Sequence, residues 1–328
     1  MKIIETKSLN VITDTCHAST IAYHPITNLP VFAWFGGTAE GAIDTAIYIQ
    51  YKDDVIKLKK NPLAHWNPVL FAIDNKLFLS YKVGVFCDSW ATCIVEITDI
   101  ETVDIKELIK KEQDIPAGLN FCVKTKPIIE HNRLFCGASV ETRLDWTSYV
   151  ETWQYRDDKF EDHFEFLDRS FPLTVKKELY TFQNYNIAYT SKTLGIIQPA
   201  LWMDKTNKIR AIFRSSRGLG NIYYSEIYDG AKPQSTVFKN PNSSVDIVNV
   251  SDRLFMVYNP SERNRYPLIV SELDNSLNVV DELTVADMPS KDCYSPEFSY
   301  PYIIEKNDIL HLTYTKERTG IEYVQISI

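Results

Sequence analysis

The chain has 328 residues, 45% of them hydrophobic and 24% charged, which excludes a mainly disordered chain and allows a large buried core. Its formal net charge of −8 excludes a general nucleic-acid binder, because neutralising phosphate groups requires a basic surface. The 19 tyrosines and 16 phenylalanines favour β-strands over helices.

The sequence contains no targeting signal that we recognise. The N-terminal residues MKIIETKSLNVITDTC lack the apolar stretch of a signal peptide, and no apolar run is long enough to span a membrane. We therefore expect a cytoplasmic protein without a membrane span. The six cysteines show no metal-binding spacing, so we expect buried reduced thiols and no metal or other cofactor.

A short turn motif recurs six times along the chain. It begins with Asn or Asp, and in five of the six copies an aromatic residue follows within a few positions. The copies are Asn28–Trp34, Asn75–Tyr81, Asn132–Ala138, Asn207–Phe213, Asp252–Tyr258 and Asn307–Tyr314. Their spacing of roughly 45 to 75 residues is typical of the blades of a β-propeller.

Each turn lies between two runs with strand character. The runs before the turns are predicted innermost strands: Ala18–Tyr23, Pro68–Ile73, Pro127–Glu130, Pro199–Met203, Val245–Val250 and Pro301–Glu305. The runs after the turns are predicted third strands: Thr45–Tyr51, Ala91–Thr98, Tyr149–Tyr155, Asn221–Ile227, Tyr266–Leu273 and Ile321–Ile328. We therefore predict an all-β fold, a six-bladed β-propeller formed by a single domain over residues 1–328.

The two ends of the chain are predicted to meet in the last blade. The chain ends within that blade's third strand, so Lys2–Val11 can add its outer strand and close the ring without an open sheet edge. One segment departs from the repeats. Asp104–Glu112 has apolar residues at helical spacing, and we predict a short surface helix there, between the second and third blades.

Polar residues at the starts of innermost strands are the first candidates for a functional site, because loops at one end of a propeller form a pocket. His17, Gln198 and Asp246 hold such positions. The imidazole of His17 can act as an acid or base near neutral pH, or can be buried and bonded to the backbone. Asp246, in NPNSSVD, can bond sugar hydroxyls or form an Asx turn.

The loops after the second strands supply a further set of candidates. Arg214 and Arg217, in the Ser/Gly-rich loop FRSSRGLG, predict an anion site, and Arg265 lies in another charged loop. Asp44 either acts chemically or caps the turn GGTAEGAID. Glu141 and Trp146 place a carboxyl group near an aromatic ring, which suits stacking on a sugar, although a packed tryptophan is the alternative.

Several segments resemble the BNR/Asp-box, sialidase-like proteins. They are CHASTIAYHPITNLPVFAWFGGTAEGAIDTAIYI, QPALWMDKTNKIRAIFRSSRGLGNIYYSEIYDG, PNSSVDIVNVSDRLFMVYNPSERNRYPLIVSELD and FSYPYIIEKNDILHLTYTKE. The resemblance covers nearly the whole chain and implies a six-bladed β-propeller. The family's Asp-box, Ser-x-Asp-x-Gly-x-x-Trp, survives only as traces at Ser225–Gly230 and Ser271–Asp274.

The resemblance also implies roles for individual residues. Sialidases of this superfamily hold a substrate carboxylate with three arginines, attack with a tyrosine activated by a glutamate, and use an aspartate as acid and base. Asp44 stands where that aspartate lies, and Arg214 and Arg265 stand where two of the arginines lie.

Three positions depart from the family pattern. His17 replaces the first arginine, Gln198 the activating glutamate, and Phe298 the nucleophilic tyrosine. A glutamine cannot take a proton from a phenol, and a phenylalanine has no oxygen for attack. Tyr300 or Tyr294 would have to replace the nucleophile.

These features predict a sialidase-like glycoside hydrolase whose partner is an acidic oligosaccharide or glycoconjugate. The acidic sugar would be a sialic acid or another keto-deoxy sugar acid. Arg214, Arg265 and Arg217 would hold its carboxylate, while Gln198 and Asp246 shape the pocket. Two alternatives stay open: a non-catalytic glycan-binding propeller, and a glycosidase or lyase for uronic-acid-containing glycans with His17 as base. The sugar, its linkage and the oligomeric state are not specified by the sequence.

Overall fold

The computed structural model describes residues 1–97, 100, 109, 111–142, 145–158, 163–175 and 194–328. Within them the chain forms twenty-four β-strands and one short 3-10 helix, Cys87–Ser89. The strands of the first half are β1 Lys2–Ser8, β2 Thr15–Tyr23, β3 Pro30–Gly37, β4 Ala46–Tyr51, β5 Asp54–Leu58, β6 His65–Ile73, β7 Lys76–Val83, β8 Ala91–Ile97, β9 Glu112–Asp114, β10 Ile128–Glu130, β11 Arg133–Glu141, β12 Asp145–Tyr155 and β13 Phe164–Arg169. Those of the second half are β14 Leu194–Met203, β15 Ile209–Ser215, β16 Asn221–Glu226, β17 Gln234–Lys239, β18 Asp246–Val250, β19 Arg253–Tyr258, β20 Leu268–Leu273, β21 Val279–Ala286, β22 Phe298–Lys306, β23 Ile309–Lys316 and β24 Gly320–Ser327.

The strands pair as antiparallel neighbours in chain order. Four separate sheets have four strands each: β2 to β5, β6 to β9, β18 to β21, and β22 to β24 with β1. The fifth sheet has eight strands, in which β10 to β13 and β14 to β17 are antiparallel groups joined by a short parallel contact. The all-β prediction is confirmed.

The predicted meeting of the chain ends is also observed. Strand β1 pairs antiparallel with β24, from Lys2 opposite Ser327 to Ser8 opposite Glu322. The six-copy turn motif corresponds to the hairpins between the first and second strands of each group, such as β14 to β15, where Met203 pairs with Ile209.

The predicted helix Asp104–Glu112 falls mainly outside the described residues; Ile109 is helical, as predicted, whereas the last residue, Glu112, belongs to a strand. Glu112 begins strand β9, which pairs with β8 through Val95. Its carboxylate accepts hydrogen bonds from Tyr81 and Lys60, and these contacts favour a strand at Glu112 over a helix. Arg143, beside the candidate Glu141, also lies outside the described residues.

The six cysteines are all unpaired thiols, as predicted. Four are buried, whereas Cys87 is exposed and Cys293 is half-buried, so the prediction of burial fails for these two. Among the described residues, no helix has the length and apolar character needed to cross a lipid bilayer.

A repeated irregularity near the start of several first strands positions side chains for the site. Strands β2, β6, β14 and β22 each contain a register shift near their N-terminal ends. One residue in each shift has a positive φ: Ala18 (54°), Asn67 (42°), Gln198 (53°) and Tyr300 (51°). Residues other than glycine adopt this conformation at a cost of about 1–2 kcal/mol. Bulges of this kind redirect a side chain out of the regular pairing of a sheet.

Candidate functional site

Arg214 is a buried cation whose observed hydrogen-bond partners are all neutral. It lies near the end of β15, with only 6% of the residue exposed. Its Nε donates to Oδ1 of Asn242 at 3.0 Å, and its Nη1 donates to Oε1 of Gln198 at 3.1 Å and to the hydroxyl of Tyr300. Among the described residues, no carboxylate lies within 4.0 Å of this guanidinium group.

Two further arginines share one buried carboxylate. Glu297 accepts from Nη1 of Arg265 at 3.1 Å and from Nε of Arg318 at 2.6 Å. Arg265 also donates to the backbone oxygen of Asn242 at 2.9 Å, while Arg318 pairs with Glu40. Burial lowers the pKa of Arg265 below its usual value. Glu297 therefore fixes the orientation of the guanidinium groups of Arg265 and Arg318.

Tyr300 lies between these cations. The guanidinium carbons of Arg214 and Arg265 are 5.3 and 5.6 Å from the centre of its ring, and the ammonium group of Lys124 is 5.9 Å away. The ring of His17 packs against Tyr300 with 4.0 Å between the ring centres. We call this group the arginine cluster; its members are Arg214, Arg265, Arg318, Glu297, Tyr300 and His17.

His17 is buried, but its ring lacks the backbone hydrogen bond that the structural interpretation predicted. It is 2% exposed, and neither ring nitrogen has a hydrogen-bond partner, so it is not a histidine bonded to the backbone. Its Nδ1 lies 3.8 Å from Oε1 of Glu297, beyond hydrogen-bond distance. Burial, and then the positive charges of Arg318 and Arg265, hold the pKa of His17 well below its usual value. The imidazole is therefore neutral at neutral pH.

Glu141 and Trp146 lie beside Arg214. The guanidinium carbon of Arg214 is 5.8 Å from the centre of the Trp146 ring. The carboxyl group of Glu141 accepts a hydrogen bond from the hydroxyl of Ser139 at 3.5 Å. Burial raises the pKa of Glu141, and the charge of Arg214 opposes that effect. Glu141, Trp146 and Phe86 line a cavity of about 330 Å³, and no member of the arginine cluster is among its lining residues.

The other predicted site residues make contacts outside the arginine cluster. Both carboxylate oxygens of Asp44 accept bonds from Thr38, at 2.9 Å from its backbone N–H and 3.0 Å from its hydroxyl. These bonds lower the pKa of Asp44 and match the turn-capping alternative. Arg217 is exposed, in the loop between β15 and β16. Neither residue contacts the cluster within the described part of the chain.

Asp246 is fully buried and has its partners within the protein. Its two oxygens each lie 2.9 Å from the ammonium group of Lys126, and each also accepts one backbone N–H, from Ile247 and from Ile303. It therefore forms an ion pair with Lys126 and also links β18 to β22 through the backbone of Ile303. The hydrogen bonds expected of an Asx turn are not seen at Asp246.

Three members of the site were missed by the analysis of the sequence: Glu297, Arg318 and Lys124. Arg318 lies in the turn after β23, the same loop position in its sheet that Arg265 holds in another. Treating every charged residue after a second strand as a candidate would have identified Arg318. Glu297 and Lys124 carry no such signal, because their partners come from distant parts of the chain.

The structure also brings together one set of residues with metal-ligand chemistry. Cys93, Glu112 and Asp114 place one ligand atom each within 4.8 Å of one another, on strands β8 and β9. The ammonium group of Lys60 bonds both carboxylates, at 2.9 Å from Asp114. A lysine therefore already supplies the positive charge that these carboxylates attract.

Comparison with solved structures relates the fold to known proteins. A protein of unknown function from Dyadobacter fermentans is similar with a TM-score of 0.71 and 10% identity, over 100% of this chain and 99% of that chain. A mutant of Trypanosoma rangeli sialidase displaying trans-sialidase activity gives 0.61 and 12%, over 99% and 59% of the two chains. A subtype N10 neuraminidase-like protein of A/little yellow-shouldered bat/Guatemala/060/2010 gives 0.54 and 7%, over 99% of both.

These identities are low, so the likeness concerns the fold alone. This chain spans little more than half the length of the T. rangeli sialidase. No curated protein matches it in sequence. A family model described as the BNR repeat-like domain matches residues 31–312, which is most of the chain. The chain therefore belongs to the BNR repeat-like domain family.

Proposed function

We propose that the protein acts on a glycan carrying an acidic sugar, as a sialidase-like glycoside hydrolase, and that Arg214 binds the sugar's carboxylate. The observation that carries this proposal is the buried guanidinium group of Arg214 without an anion. Burying an unpaired charge costs several kcal/mol, and a ligand carboxylate would remove that cost. A guanidinium group also matches a carboxylate in a planar, two-bond geometry.

The proposal includes a six-bladed propeller over residues 1–328. The four-stranded groups supply six candidate blades, and first strands of neighbouring groups contact one another, as β2 does with β6 and β22. Strands alternate in direction within each group, so the ends of second strands and the starts of first strands face one end of the molecule. That arrangement accounts for the meeting of Arg214 from β15 with Tyr300 from β22.

In this proposal the hydroxyl of Tyr300 is the nucleophile, because Phe298, at the position of the family's tyrosine, has no oxygen. The hydroxyl of Tyr300 contacts Arg214, and its ring lies between two guanidinium groups that stabilise negative charge on oxygen. Asp44, on the loop between β3 and β4, remains the proposed acid and base, which requires it to exchange its bonds to Thr38 for the substrate. Arg265 and Arg318 would complete the carboxylate site.

Turnover of a fluorogenic aryl glycoside of N-acetylneuraminic acid tests the proposal. We expect activity in the wild type and its loss in Arg214→Ala, Tyr300→Phe and Asp44→Asn. Arg253→Met is the matched control, because Arg253 pairs with Glu272 and contacts no member of the arginine cluster. Undiminished turnover in both Arg214→Ala and Asp44→Asn would remove this site from consideration.

A non-catalytic glycan-binding protein is the second candidate, favoured by one observation. The side chain of Gln198 cannot act as a base. Its amide oxygen accepts a hydrogen bond from Nη1 of Arg214, which also donates to the hydroxyl of Tyr300. Calorimetry that shows sugar binding without product would support this candidate, and Gln198→Glu would then be expected to introduce turnover. A base at His17, acting on uronic-acid glycans, is less supported because the pKa of His17 is held well below its usual value.

A further inference from the structure

The imidazole of His17 is an unsatisfied polar group in the centre of the arginine cluster. Both ring nitrogens are buried and without a partner. A buried donor or acceptor left unpaired is destabilising, so native proteins rarely keep one without reason. His65 shows the ordinary arrangement in this chain: its Nε2 accepts from the backbone of Lys60 at 3.0 Å, and its Nδ1 lies 2.9 Å from the Leu63 oxygen.

Most of the charged groups around His17 are cations. The strands packed against it contribute the rings of Phe35 and Tyr300. The charged groups around it are Arg318 from the turn after β23, Arg265 from the loop after β19, Arg214 from β15, Lys124 from the segment before β10, and Glu297 from the segment before β22.

Four cations therefore act on this imidazole against one carboxylate, and that carboxylate is already shared. Glu297 accepts bonds from Arg265, Arg318 and the hydroxyl of Ser299. A negative charge added to the arginine cluster would offset part of the cationic field at His17. Coulomb interactions between groups a few ångströms apart are strong enough in a protein interior to change which protonation state is favoured.

We propose that binding of a sugar carboxylate to the arginine cluster is coupled to the uptake of one proton by His17. This inference rests on the proposed function and adds a charge requirement to it. Protonation turns both ring nitrogens into donors, and Nδ1 then faces Glu297, 3.8 Å away, as one member of an ion pair. By linkage, a ligand that favours the protonated imidazole must bind more tightly as pH falls.

Isothermal titration calorimetry with N-acetylneuraminic acid measures this coupling directly. Titrations at pH 5.5, 6.5 and 7.5, in buffers of different ionisation enthalpy, give the number of protons taken up per sugar. We expect uptake approaching one proton at the pH where coupling is strongest, and a Kd that falls by up to about tenfold per pH unit of acidification there. The methyl ester of the same sugar, which lacks the charge, should cause no uptake.

Variants assign the proton. His17→Asn and His17→Phe should each abolish the uptake and flatten the pH dependence of Kd, and two replacements guard against one that fails to fold. His65→Gln is the matched control, since it removes a buried histidine outside the cluster, and it should keep the full uptake. Sugar binding by the wild type without proton uptake overturns this inference and leaves the proposed function standing, as does uptake that persists in both His17 variants. Absence of binding by the wild type at millimolar sugar overturns both.

Discussion

Replacing Arg214 by methionine should separate ligand binding from folding stability. Methionine fills much of the volume of the arginine side chain without its charge. In most buried ion pairs, removing one partner strands the other charge and destabilises the protein strongly. Arg214 has no carboxylate within 4.0 Å among the described residues, so its removal leaves unpaired the neutral acceptors on Asn242, Gln198 and Tyr300. It also removes the charge that opposes the effect of burial on the pKa of Glu141.

The two opposing terms are of similar size. Leaving buried neutral acceptors unpaired costs about 1–3 kcal/mol each at most, and those that reach water cost less. Removing a buried cation recovers a desolvation penalty of several kcal/mol. We therefore expect the free energy of unfolding of Arg214→Met to stay within about 2 kcal/mol of the wild type. Loss of a buried charge pair with a ligand carboxylate costs about 2–5 kcal/mol, a roughly 30- to 5,000-fold rise in Kd.

Urea denaturation gives the free energy of unfolding, and calorimetry with N-acetylneuraminic acid gives Kd. Arg253→Met is the control: the two bonds of Arg253 to Glu272, both 2.8 Å, form a partly exposed pair, so it should change stability by at most about 1 kcal/mol and leave Kd unchanged. Destabilisation of Arg214→Met by more than about 4 kcal/mol would show that the guanidinium group is a structural element. An unchanged Kd would show that the carboxylate binds elsewhere.

Three other substitutions test the structure around the site. Glu297→Gln removes a buried carboxylate that pairs with two half-buried guanidinium groups, and urea denaturation should show a loss of about 3–5 kcal/mol; a loss below 1 kcal/mol would contradict the shared ion pair. Gly195→Ala places a Cβ 2.4 Å from the backbone oxygen of Trp146, so the contact between β12 and β14 must open. We expect this to lower the free energy of unfolding by about 1–3 kcal/mol and to change the tryptophan fluorescence. Burial lowers the pKa of His65 from 6.5 to about 4. Between pH 6.5 and pH 4 the unfolded chain therefore binds a proton at His65 that the folded chain does not, and the free energy of unfolding should fall by about 3 kcal/mol over that range. His65→Gln should lose that part of the pH dependence, and an unchanged slope would contradict the assignment.

The strands were predictable because the turn motif and the apolar runs depend on local chemistry. At Asn207, for example, a positive φ of 59° suits the asparagine at which the sequence placed a turn. The pairing of β1 with β24 followed from counting strands, since one blade lacked its outer strand. Glu112 shows where local reasoning stops: its helical spacing was overridden by pairing with β8 and by hydrogen bonds from Tyr81 on β7 and Lys60 in the loop after β5.

The site was only partly predictable because its geometry depends on register. The bulge in β22 gives Tyr300 a positive φ and directs its hydroxyl to Arg214, whereas alignment by residue type selects Phe298. Arg318 approaches Glu297 from a turn, and no spacing within the sequence relates those two residues before the sheet is formed. Predicting them requires the pairing of β22 with β23 to be known first.

The contrast between two kinds of buried charge in this chain is the basis for proposing that the arginine cluster binds a ligand. Glu151 is fully buried, yet it accepts bonds from the backbone of Phe121, the indole of Trp153 and the guanidinium group of Arg169. The same fold therefore satisfies a buried charge where only stability is at stake. At one end of the molecule it keeps an unpaired cation and an unpaired imidazole, beside two residues in a strained backbone conformation. Several departures from local rules that lie together at one place are expected where a ligand supplies the missing partner.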